Sequence, residues 1–323
     1  MTCRLRSSRS YWILIFTGYL VNLAAIPMLA FVDYWQLALM LALIERFGKG
    51  IRTPARDIVL LEVTESIGRG RGLGLHELID QIGAVIGPLT VAWILYKSYS
   101  NYKSAFLILA VPAIIAIMFL TSSIITYPKI KIVEYSKVAR EKRLSNQFYM
   151  YLIFIILTSL GFMHWFLIAY YLKYSSVVPD MIIPILYMIA MISDAITAYP
   201  VGYLHDKFGL KVLTILPITI PILALLVMYS INVLMLIIAS MIWGIIICIY
   251  EVNTKVAITN LVSNQDLTYA YSVYSVVQGL SWSLGNVIIS YLYMTFKNMM
   301  ITYILVIEMA ALLIFIKLLS FKR

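Results

Sequence analysis

Charged residues are scarce in this sequence of 323 residues. Only 12% of the side chains are Asp, Glu, Lys or Arg, whereas 62% are hydrophobic, and the mean hydropathy is +0.92. Because a soluble globular domain has about 25% charged residues, this composition excludes that class. The alternating segments of about ten residues that are typical of a membrane β-barrel are missing as well. The sequence therefore predicts an all-α protein that crosses a bilayer several times.

Cysteine and histidine are also rare. The two cysteines, Cys3 and Cys248, cannot form a disulfide framework, and we interpret both as free thiols. No spacing of Cys, His, Asp or Glu is typical of a metal site, and no nucleophile is accompanied by a base. The glycine-rich segment at 68–74 does not match a phosphate-binding loop and is interpreted as a tight cytoplasmic turn. We therefore expect no cofactor, no metal and no enzymatic activity.

Long apolar runs recur along the whole chain. Each has about 20 residues, the length at which an α-helix crosses a bilayer. Ten such spans are predicted, at residues 11–32, 34–60, 72–96, 104–127, 148–173, 180–203, 211–230, 232–259, 267–294 and 298–320. The first run follows several arginines and has no small-residue cleavage site after it, so we expect a true span and not a signal peptide.

The distribution of lysine and arginine predicts how these spans are oriented. With the N-terminus on the cytoplasmic side, 21 of the 25 basic residues fall in inside segments. The outside loops hold only Lys97, Lys103, Lys173 and Lys297. We therefore expect a multi-pass protein of the plasma membrane with both termini in the cytoplasm. The net charge of +10 then reflects this bias and attraction to anionic lipids, and it does not call for a nucleic-acid partner.

One long polar connection divides the chain. Residues 128–147 are basic and join four predicted spans within 1–127 to six within 148–323, which indicates two helical bundles with a cytoplasmic linker. Residues 45–96 and 244–294 also share an order of features: a span with charges near its inner end, a polar turn and a span rich in small residues. Such a weak repeat is typical of transporters whose halves move about a central site.

Three short motifs point to a family. The segment GYLHDKFGLKVL matches the pattern G-x-L-x-D-R/K-x-G-R-K at Gly202, Leu204, Asp206, Lys207, Gly209 and Lys211. This resembles the cytoplasmic loop motif of the major facilitator superfamily. The motif of that family's fourth helix is similar to the sequence at Leu43, Arg46 and Gly50, although Lys49 replaces the usual glutamine. The motif of its fifth helix, a helix-packing motif frequent in antiporters, is similar at Gly83, Gly87 and Pro88.

The resemblance implies a fold and a function. The ten spans would correspond to the family's helices three to twelve, so that the first two helices are absent. The implied function is secondary active transport of a small molecule by alternating access, which we expect to be coupled to H⁺ and directed towards export. The alternative is a truncated homologue that does not transport, or a membrane sensor or scaffold that keeps the fold. The oligomeric state is left open.

The segment ERFGKGIRTPARD, residues 45–57, concentrates charge in the second span. On a helix, four of its side chains fall within about 60° of one another. They are Glu45, Lys49, Arg52 and Arg56, while Arg46 and Asp57 lie to one side. Because charges at membrane depth face a cavity or a partner, we interpret this face as one wall of a transport path. The alternative is that the span ends early and Lys49 begins an ordinary basic cytoplasmic end.

Two further pairs of polar side chains each have two interpretations. Glu251 and Lys255 lie one helical turn apart, and they either pair with each other or form an inner gate in which Glu251 meets an arginine of the 45–57 segment. Asp80 lies one turn after His76, and it either carries a proton or forms a structural hydrogen bond.

Three isolated polar side chains are weaker candidates. Asp194 and His164 lie within predicted spans, and Glu308 is expected only to face the helical bundle. In the loop motif, Asp206 is expected to approach the start of the helix that follows the turn at 68–74, because a carboxylate stabilises a helix N-terminus.

Overall fold

The computed structural model describes residues 7–97, 102–130, 144–175, 177–179, 182–264 and 266–320. Within these ranges the chain forms thirteen α-helices and two short 3₁₀ helices, and no β-strand occurs there. This is what long apolar runs dictate, because a helix satisfies its own backbone hydrogen bonds where water is excluded. The prediction of an all-α protein is confirmed.

The α-helices are numbered in chain order. The first five are α1 (Ser8–Met28), α2 (Trp35–Val63), α3 (Arg69–Lys97), α4 (Tyr102–Ile108) and α5 (Ala110–Thr126). The next four are α6 (Asn146–Gly161), α7 (Trp165–Ser175), α8 (Ile182–Phe208) and α9 (Ile215–Met228). The last four are α10 (Val233–Glu251), α11 (Asn253–Leu261), α12 (Leu267–Thr295) and α13 (Lys297–Ser320). The 3₁₀ helices are Leu29–Phe31 and Gly209–Thr214.

Each predicted span coincides with one helix or with two consecutive helices. By length and composition, six helical segments are long and apolar enough to cross a membrane: Ser8–Phe31, Lys103–Thr126, Asn146–Ser175, Ile182–Met228, Val233–Leu261 and Asn298–Ser320. The segment Ile182–Met228 contains two of the predicted spans. Three other helices, α2, α3 and α12, have 29 residues each, which is about 44 Å and also enough to cross. Their polar side chains lower their mean hydropathy, so they are not among these six apolar segments.

Two sequence predictions fall partly outside the described residues. Most of the predicted linker at 128–147 lies there, and so does Cys3. The other cysteine, Cys248, is a buried free thiol, as expected.

The chain divides into two compact units. Unit 1 comprises Met1–Val63, Gly83–Lys142 and Asn264–Ser272. Unit 2 comprises Thr64–Ile82, Arg143–Ser263 and Val273–Arg323. The start of α3 therefore belongs with the helices of unit 2. The predicted domain limits of 1–127 and 148–323 stay a prediction.

In unit 1, small residues bring α1 and α2 into backbone contact. A Cβ atom added to Gly48 would lie 2.7 Å from the backbone nitrogen of Asn22 and 2.8 Å from the carbonyl oxygen of Gly18. Close approach of this kind is common where helices pack in membranes. It places the side chain of Asn22 directly against α2.

In unit 2, the predicted span at 148–173 is interrupted, which the sequence did not predict. Residues 162–164 are not helical and separate α6 from α7. Their backbone groups are satisfied by distant side chains: His164 N donates to Asn286 Oδ1 at 2.9 Å, and Trp243 Nε1 donates to the oxygen of Met163 at 3.0 Å. Non-helical backbone at membrane depth is stable only when protein groups satisfy it in this way.

Candidate functional site

The charged face predicted for the second span lies on α2 in unit 1. This helix runs without interruption from Trp35 to Val63, so four of its charged side chains share one face, Glu45, Lys49, Arg52 and Arg56. Near its middle, Glu45 Oε1 accepts a hydrogen bond of 2.7 Å from Asn22 Nδ2. The other oxygen of Glu45 lies 3.1 Å from Arg46 Nε. A buried asparagine of α1 therefore holds the carboxylate in place.

Further along the same face, the arginines have partners within unit 1. The guanidinium of Arg52 stacks over the ring of Tyr19, 3.8 Å from its centroid. Arg56 Nη2 donates to Asp57 Oδ1 at 2.8 Å, and both side chains are largely buried. Lys49 is exposed. Glu45, Arg52 and Arg56 are therefore positioned by protein contacts.

Sequence reasoning missed the two residues of α1 that support this face. Tyr19 and Asn22 are three positions apart and thus lie on one side of α1. An asparagine in the middle of an apolar span was the available signal, because polar side chains there usually find a partner on a neighbouring helix.

The loop motif at Gly202–Lys211 lies at the end of α8 and in the 3₁₀ helix after it. Asp206 Oδ1 accepts from the backbone nitrogen of Gly70 at 2.8 Å, and Oδ2 accepts from that of Arg71 at 3.0 Å. Oδ2 also accepts from Arg71 Nε at 3.2 Å. Asp206 thus caps the first turn of α3, and the prediction that it approaches the start of this helix is confirmed. The predicted tight turn at 68–74 is wrong, because α3 already begins at Arg69 and the turn lies at residues 64–67.

Glycines allow this contact. A Cβ atom on Gly202 would overlap the backbone oxygen of Gly70, so both positions need a residue without a side chain. Gly209 has φ of +61°, a left-handed conformation in which glycine is favoured. The cations of the motif, Lys207 and Lys211, are exposed.

A cluster of acidic side chains lies in unit 2 where α3, α8, α10 and α11 meet. Glu251 Oε2 accepts from Lys255 Nζ at 2.6 Å, which is the first of the two pairings allowed by the sequence. Glu77 of α3 is buried, accepts from Gln81 Nε2 at 2.8 Å and interacts electrostatically with both members of that pair. We call Glu77, Asp194, Glu251 and Lys255 the acidic cluster.

Asp194 is the most enclosed member of the acidic cluster. It is fully buried in α8 and interacts electrostatically with Glu77 and Glu251. The Cys248 thiol lies against its carboxyl group. Within the described ranges, neither carboxyl oxygen accepts a hydrogen bond from an N–H or O–H group. Three carboxyl groups and one ammonium group in such a setting can take up and release protons.

Sequence reasoning also missed Glu77. Gly70 and Gly74 face α8, because Cβ atoms on them would overlap the backbone oxygens of Gly202 and Ala198. Glu77 lies one turn beyond Gly74 on the same face of α3, so the helix carries it into the same interface. The glycine spacing was the signal that could have identified it.

The other candidate residues, Asp80 and His164, differ in exposure and in the side chains that they contact. Asp80 is 53% exposed, and its Oδ2 lies 3.5 Å from Nε2 of His76, so the structure brings these two together. The ring of His164 meets those of Trp243 and Trp282 edge-on at the interruption between α6 and α7. In the described part of the chain, no three His, Cys, Asp or Glu side chains are grouped so that they could hold a metal ion.

The predicted helix-packing motif lies on α3. Within the described residues, a Cβ atom on Gly83 or Gly87 would meet no heavy atom within 4 Å. The side chain of Pro88 lies outside the described residues. The packing role of this motif therefore stays a prediction.

Comparisons with known proteins identify one protein family. The family model described as "Major Facilitator Superfamily" matches residues 7–286. An uncharacterized protein of Mycobacterium tuberculosis is 31% identical over 312 residues, which are 94% of this chain and 76% of that protein. An uncharacterized MFS-type transporter of Methanocaldococcus jannaschii is 31% identical over 319 residues, covering 94% of this chain and 78% of that protein.

Among solved structures, the E. coli fucose:proton symporter has a similar fold. The TM-score is 0.67 at 16% sequence identity, and the likeness covers 97% of this chain and 84% of that chain. At an identity this low, the similarity indicates a shared fold but does not indicate the substrate.

Proposed function

The chain belongs to the major facilitator superfamily, and from this premise we propose that it is a proton-coupled secondary transporter that moves a small solute by alternating access. The resemblance noted in the sequence is thereby confirmed. The chain is an integral, multi-pass membrane protein, and its family and fold support a membrane transporter of small molecules. The solute, the coupling ion and the direction are the further parts of the proposal.

The observation that carries the proposal is the charged face of α2. Glu45, Lys49, Arg52 and Arg56 share this face, and partners from α1 hold two of them. Desolvating such charges is costly, so they are rare in spanning helices unless they serve a pathway. Arg56 is paired with Asp57, so the face sets Lys49 and Arg52 against the carboxylate of Glu45. This excess of positive charge suits a solute with a negative group, such as an organic anion or a phosphate ester.

The acidic cluster supports proton coupling. Glu251 is paired with Lys255, whereas Asp194 is buried and accepts no hydrogen bond from an N–H or O–H group of the described residues. Protonation of a carboxyl group removes charge from the membrane interior, which can be linked to a change of conformation. Glu45 in unit 1 and Asp80 in unit 2 are the other titratable groups that we propose for proton coupling. The motif at Gly83, Gly87 and Pro88, which is frequent in antiporters, supports export.

The proposal can be tested in proteoliposomes that contain a pH-sensitive dye. Organic anions, phosphate esters and amphiphilic compounds are supplied separately, and the internal pH is recorded. We expect one class to change the internal pH, and we expect a protonophore to abolish that change. Arg52→Gln should slow it by about 10-fold or more, because a charged contact to an anion is lost.

Lys103→Gln is the matched control, since it removes a positive charge at an exposed position of α4. It should retain the wild-type rate. If no class of compound changes the internal pH while a known proton-coupled transporter does so in the same vesicles, the protein is a scaffold or sensor with this fold.

A further inference from the structure

A second carboxyl group is enclosed in unit 2, away from the acidic cluster. Glu308 lies halfway along α13 and is 1% exposed. Within the described residues, neither Oε1 nor Oε2 has a hydrogen-bond partner. A charged carboxylate cannot persist in such a place without compensation, so the site must supply a proton or a cation.

The end of α6 determines which charge is favoured there. Gly161 is the last residue of α6, and a Cβ atom on it would overlap Glu308 Oε1. The last carbonyl groups of an α-helix have no partner within the helix and carry the negative end of its dipole. The carboxyl group of Glu308 therefore faces partial negative charge, and a bound proton would give it a donor for those oxygens.

The helices packed around Glu308 contribute hydroxyl groups and no described cation. Tyr250 of α10 and Tyr303 of α13 interact with it electrostatically. The hydroxyls of Thr158 and Ser159, both fully buried in α6, lie beside Tyr250. The packed helix α9 has no titratable side chain. Across the described ranges, no lysine, arginine or histidine forms an ion pair with Glu308.

We propose that Glu308 is an internal proton-binding site and that Tyr250 passes its proton to and from the rest of unit 2. This inference rests on the proposed function, because it names the place that the coupled proton occupies. Glu308 lies at the interruption between α6 and α7, where the backbone is not helical. A change in the charge of Glu308 would therefore act on this non-helical segment. Loss of the proton would set the carboxylate against the carbonyl end of α6.

A chain of buried hydroxyl groups leads from Tyr250 towards the acidic cluster. Tyr250 interacts with Tyr274, whose Oη lies 2.6 Å from Thr254 Oγ1. Thr254 precedes Lys255, which pairs with Glu251. The hydroxyl of Tyr250 lies beside those of Thr158 and Ser159, so its O–H group can rotate between Glu308 and these neighbours.

The transfer is balanced in protons. When rotation of the side chains brings Tyr250 Oη within hydrogen-bond reach of Glu308, the O–H bond of the Glu308 carboxyl group breaks as the Tyr250 oxygen accepts that proton, and Tyr250 releases its own hydroxyl proton to Tyr274. Tyr274 passes its proton to Thr254 in the same way. Each hydroxyl ends neutral, Glu308 becomes a carboxylate, and the Glu251 carboxylate accepts the proton that Thr254 releases.

Infrared difference spectroscopy of the purified protein tests the site directly. At neutral pH, wild type minus Glu308→Gln should show the C=O stretch of one protonated carboxyl group, and this band should shift in D₂O. Asp33→Asn is the matched control, because Asp33 is an exposed residue between α1 and α2, and it should show carboxylate bands only. Unchanged helical content by circular dichroism confirms that each variant folds.

The role of Tyr250 is tested by the rate at which the Glu308 band shifts after transfer into D₂O. Tyr250→Phe should slow this shift by about 10-fold or more, because a proton-transfer group is lost, whereas exposed Tyr229→Phe should leave it unchanged. An equal rate in Tyr250→Phe and wild type would refute the role of Tyr250.

Two results would overturn the site itself. If only carboxylate bands are lost in Glu308→Gln, then Glu308 is ionised. If the protonated band depends on whether Na⁺ or K⁺ is present, then a sodium ion and not a proton occupies the site. Neither result depends on transport, so the proposed function can fail in vesicles while the Glu308 band remains, and the reverse outcome is equally distinguishable.

Discussion

The hydrogen bond between Asn22 and Glu45 joins two helices of unit 1 at one pair of side chains. Asn22 Nδ2 lies 2.7 Å from the carboxyl group of Glu45 and 3.1 Å from its backbone oxygen. Such bonds contribute modestly in membranes, because the unfolded chain also finds partners. The value of this bond lies in fixing the carboxylate on the charged face of α2.

Removal of the asparagine should therefore have a small and defined effect. We expect Asn22→Ala to lower the free energy of unfolding by about 1 kcal/mol, measured in detergent. Asn22→Asp should cost more, because it places a second carboxylate against Glu45. Thr17→Val is the control, since among the described residues the exposed hydroxyl of Thr17 donates only to carbonyl oxygens of its own helix. Equal stability of all four proteins would mean that the bond contributes nothing.

At the scale of elements, the N-terminus of α3 is stabilised by a residue of another helix, α8. Its first turn contains no acidic side chain, so it lacks its own source of negative charge at the positive end of the dipole. Asp206, at the end of α8, supplies this charge and accepts two backbone N–H groups. The loop motif therefore acts as a cap for a distant helix.

Asp206→Ala should loosen the start of α3. We expect a loss of about 1–2 kcal/mol, the usual cost of removing a helix cap, and faster amide exchange at Gly70 and Arg71. Asp206→Asn should retain part of the effect, because an amide oxygen can still accept one bond. Lys207→Ala is the neighbouring control. If amide exchange in α3 is unchanged in Asp206→Ala, the contact does not stabilise the helix.

The elements also show what the sequence could and could not predict. Hydropathy located the described helices within ten apolar runs, because each run has the length of a span, although three of the runs each contain two α-helices. The cap by Asp206 could be predicted from the sequence, because the loop motif has a recognisable spacing. The interruption at 162–164 was not, since Asn286 and Trp243 satisfy it from distant positions. The burial of Glu77 and Glu308 likewise depends on which helices pack together.

At the scale of the whole molecule, the predicted orientation follows from the basic residues and awaits a direct test. If the N-terminus is cytoplasmic, the loop before α2 lies outside and the turn after α2 lies inside. Asp33 and Glu65 are exposed residues in these two segments. They flank one helix and should therefore differ in accessibility from the cell exterior.

Single cysteines at these two positions decide the orientation. In a background with Cys3→Ser and Cys248→Ser, we expect Asp33→Cys to react with a membrane-impermeant maleimide in intact cells. Glu65→Cys should react only after the cells are permeabilised, because a polar reagent does not cross the bilayer. The background without cysteine is the control for other reactive groups. The reverse pattern would place both termini outside. Most of the basic residues would then lie outside the cell, which would contradict the positive-inside rule.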